Sequence, residues 1–532
     1  MKQKNYIAKG WLLTLALALA VVALGYIPTV KVFGLELGRV DVFSTLRVEP
    51  LSEEVVEYEA DLERLEQELA MAEAAADTLQ HVVPQRYEWV VSRTEYQPRR
   101  LRSDDVRPDS TLNIIPIEDF DTLATTRFER LVEKLANGES VRIAFMGDSF
   151  VEGDIVTVDL REELQTLFGG RGVGFVPCDI PYATVRKSIK RSSKGWSSYS
   201  IMKPKAAPEA LRNSFFVSGY LSSGVAGANT RWQTTDTAKH IDSCTQARLL
   251  LISRDDSSVE LTLSDTLKHT IAIEGDERLR EIHIDAPYNS LAIKVLSGNV
   301  ICYGVSMEGA GGVTVDNFSV RSNNGHAIFG TSATINRQAN DMLNYDLVVL
   351  QYGLNIMLPN QRNFSKYRDQ LRDMIAYVER CFPEAAVLVL GVSDRWIRSE
   401  EAGGYVPIGS VDALTSYQRA AADSCRVAFW NTSRAMANYG GIRGFVANGW
   451  AAGDYTHINY AGGRRIAHQL AAALRQPVYE LLKSREEAAA RQQAELLIFE
   501  QQRQQRLNNH IEAISTIVPP ISSLQTTTSL SE

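Results

Sequence analysis

The stretch Val141-Arg142-Ile143-Ala144-Phe145-Met146-Gly147-Asp148-Ser149-Phe150 decides the architecture. A mostly apolar run ends at Met146, a small polar turn follows, and an amphipathic pattern opens near Ile155. That is the strand and the helix of one βα unit. The same signal recurs: Leu347–Gln351, Ala386–Val392 and Val427–Trp430 are short apolar runs, each next to a helical stretch. The predicted helices are Thr122–Ala136, Ile155–Phe168, Lys366–Arg380, Ala413–Cys425 and Ala461–Leu474. Short, continuously apolar strands alternating with helices predict a parallel sheet covered by helices on both faces.

Between Pro177 and Gly312 the alternation breaks. Period-2 segments such as Ala247–Ser253, Val259–Leu263, Thr270–Ile273, Glu281–Ile284, Ser290–Val295 and Val300–Met307 are separated by Asp, Gly, Asn and Ser, with no helix between them. Such spacing predicts a β-sandwich. A β-rich domain over residues 177–312 is therefore expected inside an α/β domain made of residues 118–176 and 313–482.

The flanks differ. Lys2, Lys4 and Lys9 precede an uncharged run of 17 residues, Trp11–Ile27, and then Pro28. A run of that length is at the short end of the roughly 17–25 residues that cross a bilayer, and the basic residues before it place residues 1–10 in the cytoplasm and the rest outside. Residues 11–28 thus read as an inner-membrane anchor or, through the small residues of Ala23-Leu24-Gly25, as a cleaved signal peptide; both export the body, to the periplasm in the anchored case. From Ser52 the spacing of Val55, Tyr58, Leu62, Leu65, Leu69, Ala72, Ala76 and Leu79 predicts a helical stalk over 52–82. Residues 483–514 read as a charged helix and 515–532 as a disordered tail. The two outer helices are candidate contacts with each other or within a homo-oligomer, although solvated helices are commoner.

Of 532 residues, 45% are hydrophobic and 23% charged, which is globular composition, and the net charge of −8 with dispersed basic residues argues against a nucleic-acid partner. The five cysteines, Cys178, Cys244, Cys302, Cys381 and Cys425, lack paired metal spacing, so neither zinc nor any other cofactor is expected. Cys381 and Cys425 are the candidate disulfide, with buried free thiols the equal alternative.

Ser149 falls at a strand-to-helix turn on the carboxyl edge of the sheet, where open α/β sheets bind ligands. Its N–H and the start of the next helix suit a developing oxyanion. His457, in Gly453-Asp454-Tyr455-Thr456-His457 before the helix at Ala461, is a candidate base, and Asp454 can hold its tautomer. Alone, Gly-Asp-Ser is a weak signal, and Asp454 equally suits a turn cap. Asn355, in Gly353-Leu354-Asn355 beyond Leu347–Gln351, could donate its amide to an oxyanion, and Gly325 in Ser322-Asn323-Asn324-Gly325 could offer an N–H with no side chain in the way. Gly304, Gly309, Gly311 and Gly312 lie near enough in sequence to leave Gly325 the least specific choice.

In this order the four segments resemble the blocks of the SGNH hydrolases, also called the GDSL esterase/lipase family: Gly147-Asp148-Ser149, Gly325, Gly353-Leu354-Asn355 and Asp454-Tyr455-Thr456-His457. The resemblance covers residues 120–175 and 313–480. It implies a flavodoxin-like three-layer sandwich with Ser149 as nucleophile, His457 as base, Asp454 orienting it, and Gly325 and Asn355 joining the Ser149 N–H in an oxyanion hole. The long insertion is similar to that of SGNH enzymes that remove O-acetyl groups from peptidoglycan. The chain is thus expected to be an exported serine esterase acting on an acylated glycan. An O-acyltransferase using the same triad is the nearest alternative, and a non-catalytic envelope scaffold or glycan-binding protein the more distant one.

Arg395, after the Ala386–Val392 strand, is a candidate substrate contact, although a structural ion pair is commoner; His326, beside Gly325, reads as a polar loop residue. In the insertion Trp196 and Tyr199, with Tyr182, Tyr220 and Trp232, are candidates for stacking on sugar rings, although buried core aromatics are the usual outcome.

Overall fold

The computed structural model describes residues 30–32, 35–37, 85–182 and 186–517, with side chains from 85 to 513. The expected anchor (11–28), the stalk (52–82) and the tail beyond 517 lie outside the described residues. Among those described, no helix is long and apolar enough to cross a membrane.

Five parallel strands form the central sheet: β1 (Val141–Gly147), β2 (Val313–Ser319), β3 (Leu347–Gln351), β4 (Ala386–Leu390) and β5 (Ala428–Trp430), in the order β2-β1-β3-β4-β5. This is the flavodoxin-like order, whose topological switch lies between β1 and β3. All seven residues of β1 and all five of β3 and of β4 are buried, the mark of strands covered on both faces.

Helices α1 (Arg127–Ala136), α2 (Thr157–Phe168) and α6 (Tyr460–Ile517) pack together on one face, and α3 (Ala333–Leu343), α4 (Ser365–Cys381) and α5 (Val411–Cys425) on the other. Their starts follow from sequence. Thr126 caps α1 and Glu129 reaches back to close a capping box, while Ser332 caps α3. At the far end the helices expected at Ala461–Leu474 and 483–514 are one continuous α6, which passes through Pro477. Leu470, Leu474, Val478 and Leu482 are buried along that stretch, so packing outweighs the backbone hydrogen bond that proline forfeits. From Arg485 to Ala513 the helix is exposed all round.

The insertion is a ten-stranded sheet rather than two separate ones; it branches where Gly172–Pro177 joins Asn299–Glu308 and where Ile189–Ser200 joins Tyr220–Thr234. Residues from both ends of the sheet, including Val259, Leu261 and Leu263 at one end and Ile282 and Ile284 at the other, share one core. The domain therefore begins at Gly172, five residues earlier than the expected Pro177, and its far edge is completed by Gln85–Val90, paired in parallel with Leu279–Tyr288. None of the five cysteines forms a disulfide, so Cys381 and Cys425 are not bridged.

The two domains are joined by buried charge. Arg142 on β1 pairs with Asp316 on β2 at 2.8 Å and with Glu308 from the insertion, and Arg248 of the insertion, paired with Glu281, donates to the Met342 carbonyl at the end of α3.

Candidate active site

The ends of β1 and β3 are level, with Gly147 beside Gln351, so the turns that follow them open into the same crevice at the switch point. A side chain at Gly147 would run into Val151 and Gln351, so the turn before Ser149 requires glycine. Ser149 is half-buried on this turn, and its N–H has no protein partner among the described residues. The helix does not start next to it as expected. A one-turn 3-10 segment, Glu152–Asp154, intervenes and α2 begins only at Thr157, which removes most of the helix-dipole argument because that effect fades within a turn.

Asp148 is fully buried. Its Oδ1 accepts from the Phe150 N–H at 2.8 Å, and its Oδ2 receives the Asn355 amide at 3.3 Å. Burial pushes its carboxyl up to about 7, against the pull of the Phe150 N–H, of His457 and of Gln351. The start of α6, just past the His457 loop, packs on the turn that follows Ser149: a Cβ at Gly463 would run into the Ile155 carbonyl. The contact is tied by Tyr460, whose hydroxyl donates to the Gly153 carbonyl at 2.7 Å.

His457 and Asp454 form the dyad that sequence reading expects, with His457 Nδ1 lying 2.7 Å from Asp454 Oδ2. Asp454 Oδ1 accepts from the backbone N–H groups of Thr456 (2.9 Å) and His457 (3.0 Å), so the carboxylate that orients the ring also caps its own turn. Burial opposes ionisation of Asp454, but the donors from His457 and Thr456 outweigh it and hold its carboxyl below the usual range. With Nδ1 engaged, the free ring nitrogen is Nε2, the one that can take a proton from a hydroxyl.

The expected oxyanion donors are arranged differently. The Gly325 N–H donates to Asn323 Oδ1 at 2.8 Å, and the Asn355 amide donates to the Asn323 carbonyl at 2.9 Å as well as to Asp148. Gly325 is nonetheless obligatory: at φ 101° it lies in the left-handed region, and a Cβ would strike Met374. Asn323 thus joins the second and third blocks, a role no sequence signal announced.

No protein-family profile matches the chain, and no curated protein does. Solved structures match. A peptidoglycan O-acetylesterase, studied in action, aligns with a TM-score of 0.56 at 22% identity, over 69% of this chain and 99% of that one. The two share a fold. A family two carbohydrate esterase from Cellvibrio japonicus aligns over 57% of this chain and 97% of its own at 10% identity and a TM-score of 0.22. A lipase/acylhydrolase from Enterococcus faecalis aligns over 31% of this chain and 77% of its own at 14% identity and a TM-score of 0.24.

The remaining candidates are scattered. Arg395 is half-buried beside the dyad, where Asp454 partly offsets the effect of desolvation; its Nη1 donates to the Leu354 carbonyl at 3.1 Å, and its buried Nε has no partner. His326 packs against Phe329. In the insertion Trp232 and Tyr220 are buried, Tyr182 is tied to Tyr220 through their hydroxyls, Trp196 packs on Gly224 and Ala228, and Tyr199 lies against the main core. Sequence reading passed over a second set. Trp396 and Tyr405, on the hairpin Trp396–Ser399/Gly404–Pro407, both stack on Tyr455 of the dyad loop.

Proposed function

We propose that the chain is an exported serine esterase that removes acetyl or similar small acyl groups from an O-acylated glycan through an acyl-serine intermediate. The observation that carries this reading is the Asp454–His457 pair, tied through Tyr460 to the turn of Ser149 at the switch point of the sheet. The shared fold with a peptidoglycan O-acetylesterase supports the substrate class.

His457 Nε2 takes the Ser149 Oγ proton as Oγ attacks the ester carbonyl, and Asp454 stabilises the imidazolium that results. The tetrahedral oxyanion receives the Ser149 N–H and the Asn355 amide. Asn355 is exposed and its bond to Asp148 is long, so redirecting that one N–H to substrate breaks a weak contact while the other N–H keeps its bond to the Asn323 carbonyl. Collapse expels the sugar alkoxide, which takes the proton from His457. Water, activated by the same ring, then releases the carboxylic acid and frees Ser149.

The test is incubation with an aryl acetate and with a fluorophosphonate, followed by mass mapping. Turnover and a covalent adduct on Ser149, both absent in Ser149→Ala, are expected. Hydrolysis that survives Ser149→Ala would refute the assignment. The export half rests on residues 1–28, and carbonate-resistant membrane association of the full chain, or a cleaved N-terminus near Tyr26, is its test.

A further inference from the structure

We propose that the hairpin Trp396–Ser399/Gly404–Pro407 is a pyranose-binding platform beside the base, with the Tyr405 ring as its stacking surface and Arg398 as its flanking donor. The proposal deepens the glycan-esterase reading and rests on it. In the hairpin Trp396 lies opposite Pro407 and Arg398 opposite Tyr405, and residues directly opposed in an antiparallel pair share a face. That face meets Tyr455, the residue after Asp454. The rings of Tyr405 and Tyr455 are stacked at 4.4 Å and 25°, those of Trp396 and Tyr455 at 5.9 Å and 19°, and the Trp396 N–H donates to the Tyr455 carbonyl at 3.1 Å. Tyr405 therefore sits two rings from the hairpin base, one stack away from the loop that carries His457.

Tyr405 remains 37% exposed, and outside α6 it is the one large exposed aromatic among the described residues. Leu358, 47% exposed, lies in the loop that follows Asn355, and the Asn360 N–H fastens that loop to the hairpin end at Ile408 (2.9 Å). A ring already held by a stack beneath it loses little freedom on binding, and its outer surface suits the apolar C–H face of a pyranose. Arg398, exposed on the same face, reaches the ring's oxygen substituents. The dyad needs such a cover: the side chains of His457 and Asp454 are 54% and 49% exposed, and electrostatic stabilisation strengthens once substrate displaces that water.

Binding is read apart from turnover by titrating full-length Ser149→Ala protein with tetra-N-acetylchitotetraose and with cellohexaose. Adding Tyr405→Ala is expected to weaken the better-bound oligosaccharide about tenfold or more, while Tyr405→Phe stays within about twofold because the ring persists. With Ser149 intact, Tyr405→Ala is expected to lower the ratio of kcat/KM on an acetylated glycan to that on an aryl acetate by about tenfold. Arg398→Ala, which disturbs no stacking, is expected to cost about threefold in binding and gives a second readout should Tyr405→Ala disturb the fold. An equal loss on both substrates would make the rings a mere prop for the dyad loop, and failure of both oligosaccharides to bind would also overturn the platform. In either case aryl acetate turnover would leave the esterase reading standing. Oligosaccharide binding that depends on Tyr405, in a protein that hydrolyses no ester, would overturn the esterase reading and keep the platform.

Discussion

Asp148 has a measurable cost. Folding takes its carboxyl wholly out of water, and burial raises it from 3.8 to about 7. The sign follows from proton counting. Between those values the native state keeps a proton that the unfolded chain has released, so stability falls as pH rises from about 4 to about 7. At about 1.4 kcal/mol per pH unit the fall amounts to about 4 kcal/mol, as an order of magnitude. Asp148→Asn keeps the acceptor for the Phe150 N–H and removes the ionisation. It is expected to match wild type near pH 4 and to exceed it by a few kcal/mol near pH 8.

Urea unfolding followed by tryptophan fluorescence, run in parallel on both proteins from about pH 4.5 to pH 8, measures this directly. Carboxylates held down by partners, such as Asp154 and Glu281, slope the other way, but they are common to both proteins and cancel in the difference. A difference between the two proteins that stays constant across that range would refute the reasoning.

Other expectations concern the site and its support. His457→Ala should lose aryl acetate turnover about as completely as Ser149→Ala, because the two act as one unit, while Asp454→Ala retains more; steady-state kinetics on folded variants decide this. Asn355→Ala should lower kcat by roughly 10²–10³ with a smaller effect on KM, and a change in KM alone would make Asn355 a substrate contact rather than an oxyanion donor. Asp154→Asn should destabilise the chain by about 3–5 kcal/mol, because the buried guanidinium of Arg161 would lose its counter-charge; the urea midpoint reports it.

Much of the α/β domain is legible in the sequence because buried parallel strands are short, apolar and bounded by turns. Leu347–Gln351 is an example whose bounds agree with the structure residue for residue. The polar strand Ile189–Ser200 carries no such signal: it is largely exposed, and it is held by pairing with Tyr220–Thr234 rather than by an apolar face. Gln85–Val90 is hidden for another reason, since its partner strand begins only at Leu279 and no local pattern can announce pairing over such a separation. In the site, the dyad is written in four consecutive residues, whereas the aromatic stack is divided between Trp396, Tyr405 and Tyr455. Asn323 could not have been chosen from its neighbours, because its role depends on where Gly325 and Asn355 meet.

That division explains how an insertion with none of the four blocks still bears on the chemistry. The turn after Ser149 ends at Asp154, a non-glycine residue at φ 67°, in the left-handed region that side chains disfavour. It is held there by Thr157 and Asn317 from the α/β domain and by Ser188 and Arg186 from the insertion, the last at 2.7 Å. Burial alone would favour the neutral acid, but Arg186 and Arg161 keep Asp154 ionised well below the usual carboxylate range. The guanidinium of Arg186 also donates to the carbonyls of Phe175 and Val173 (both 3.0 Å), in the strand that opens the insertion. One arginine thus couples the first strand of the β domain to the last residue of the turn that carries Ser149. A shift of that strand has to be absorbed either by an uncompensated buried charge or by the backbone next to Ser149, and the first is the more costly.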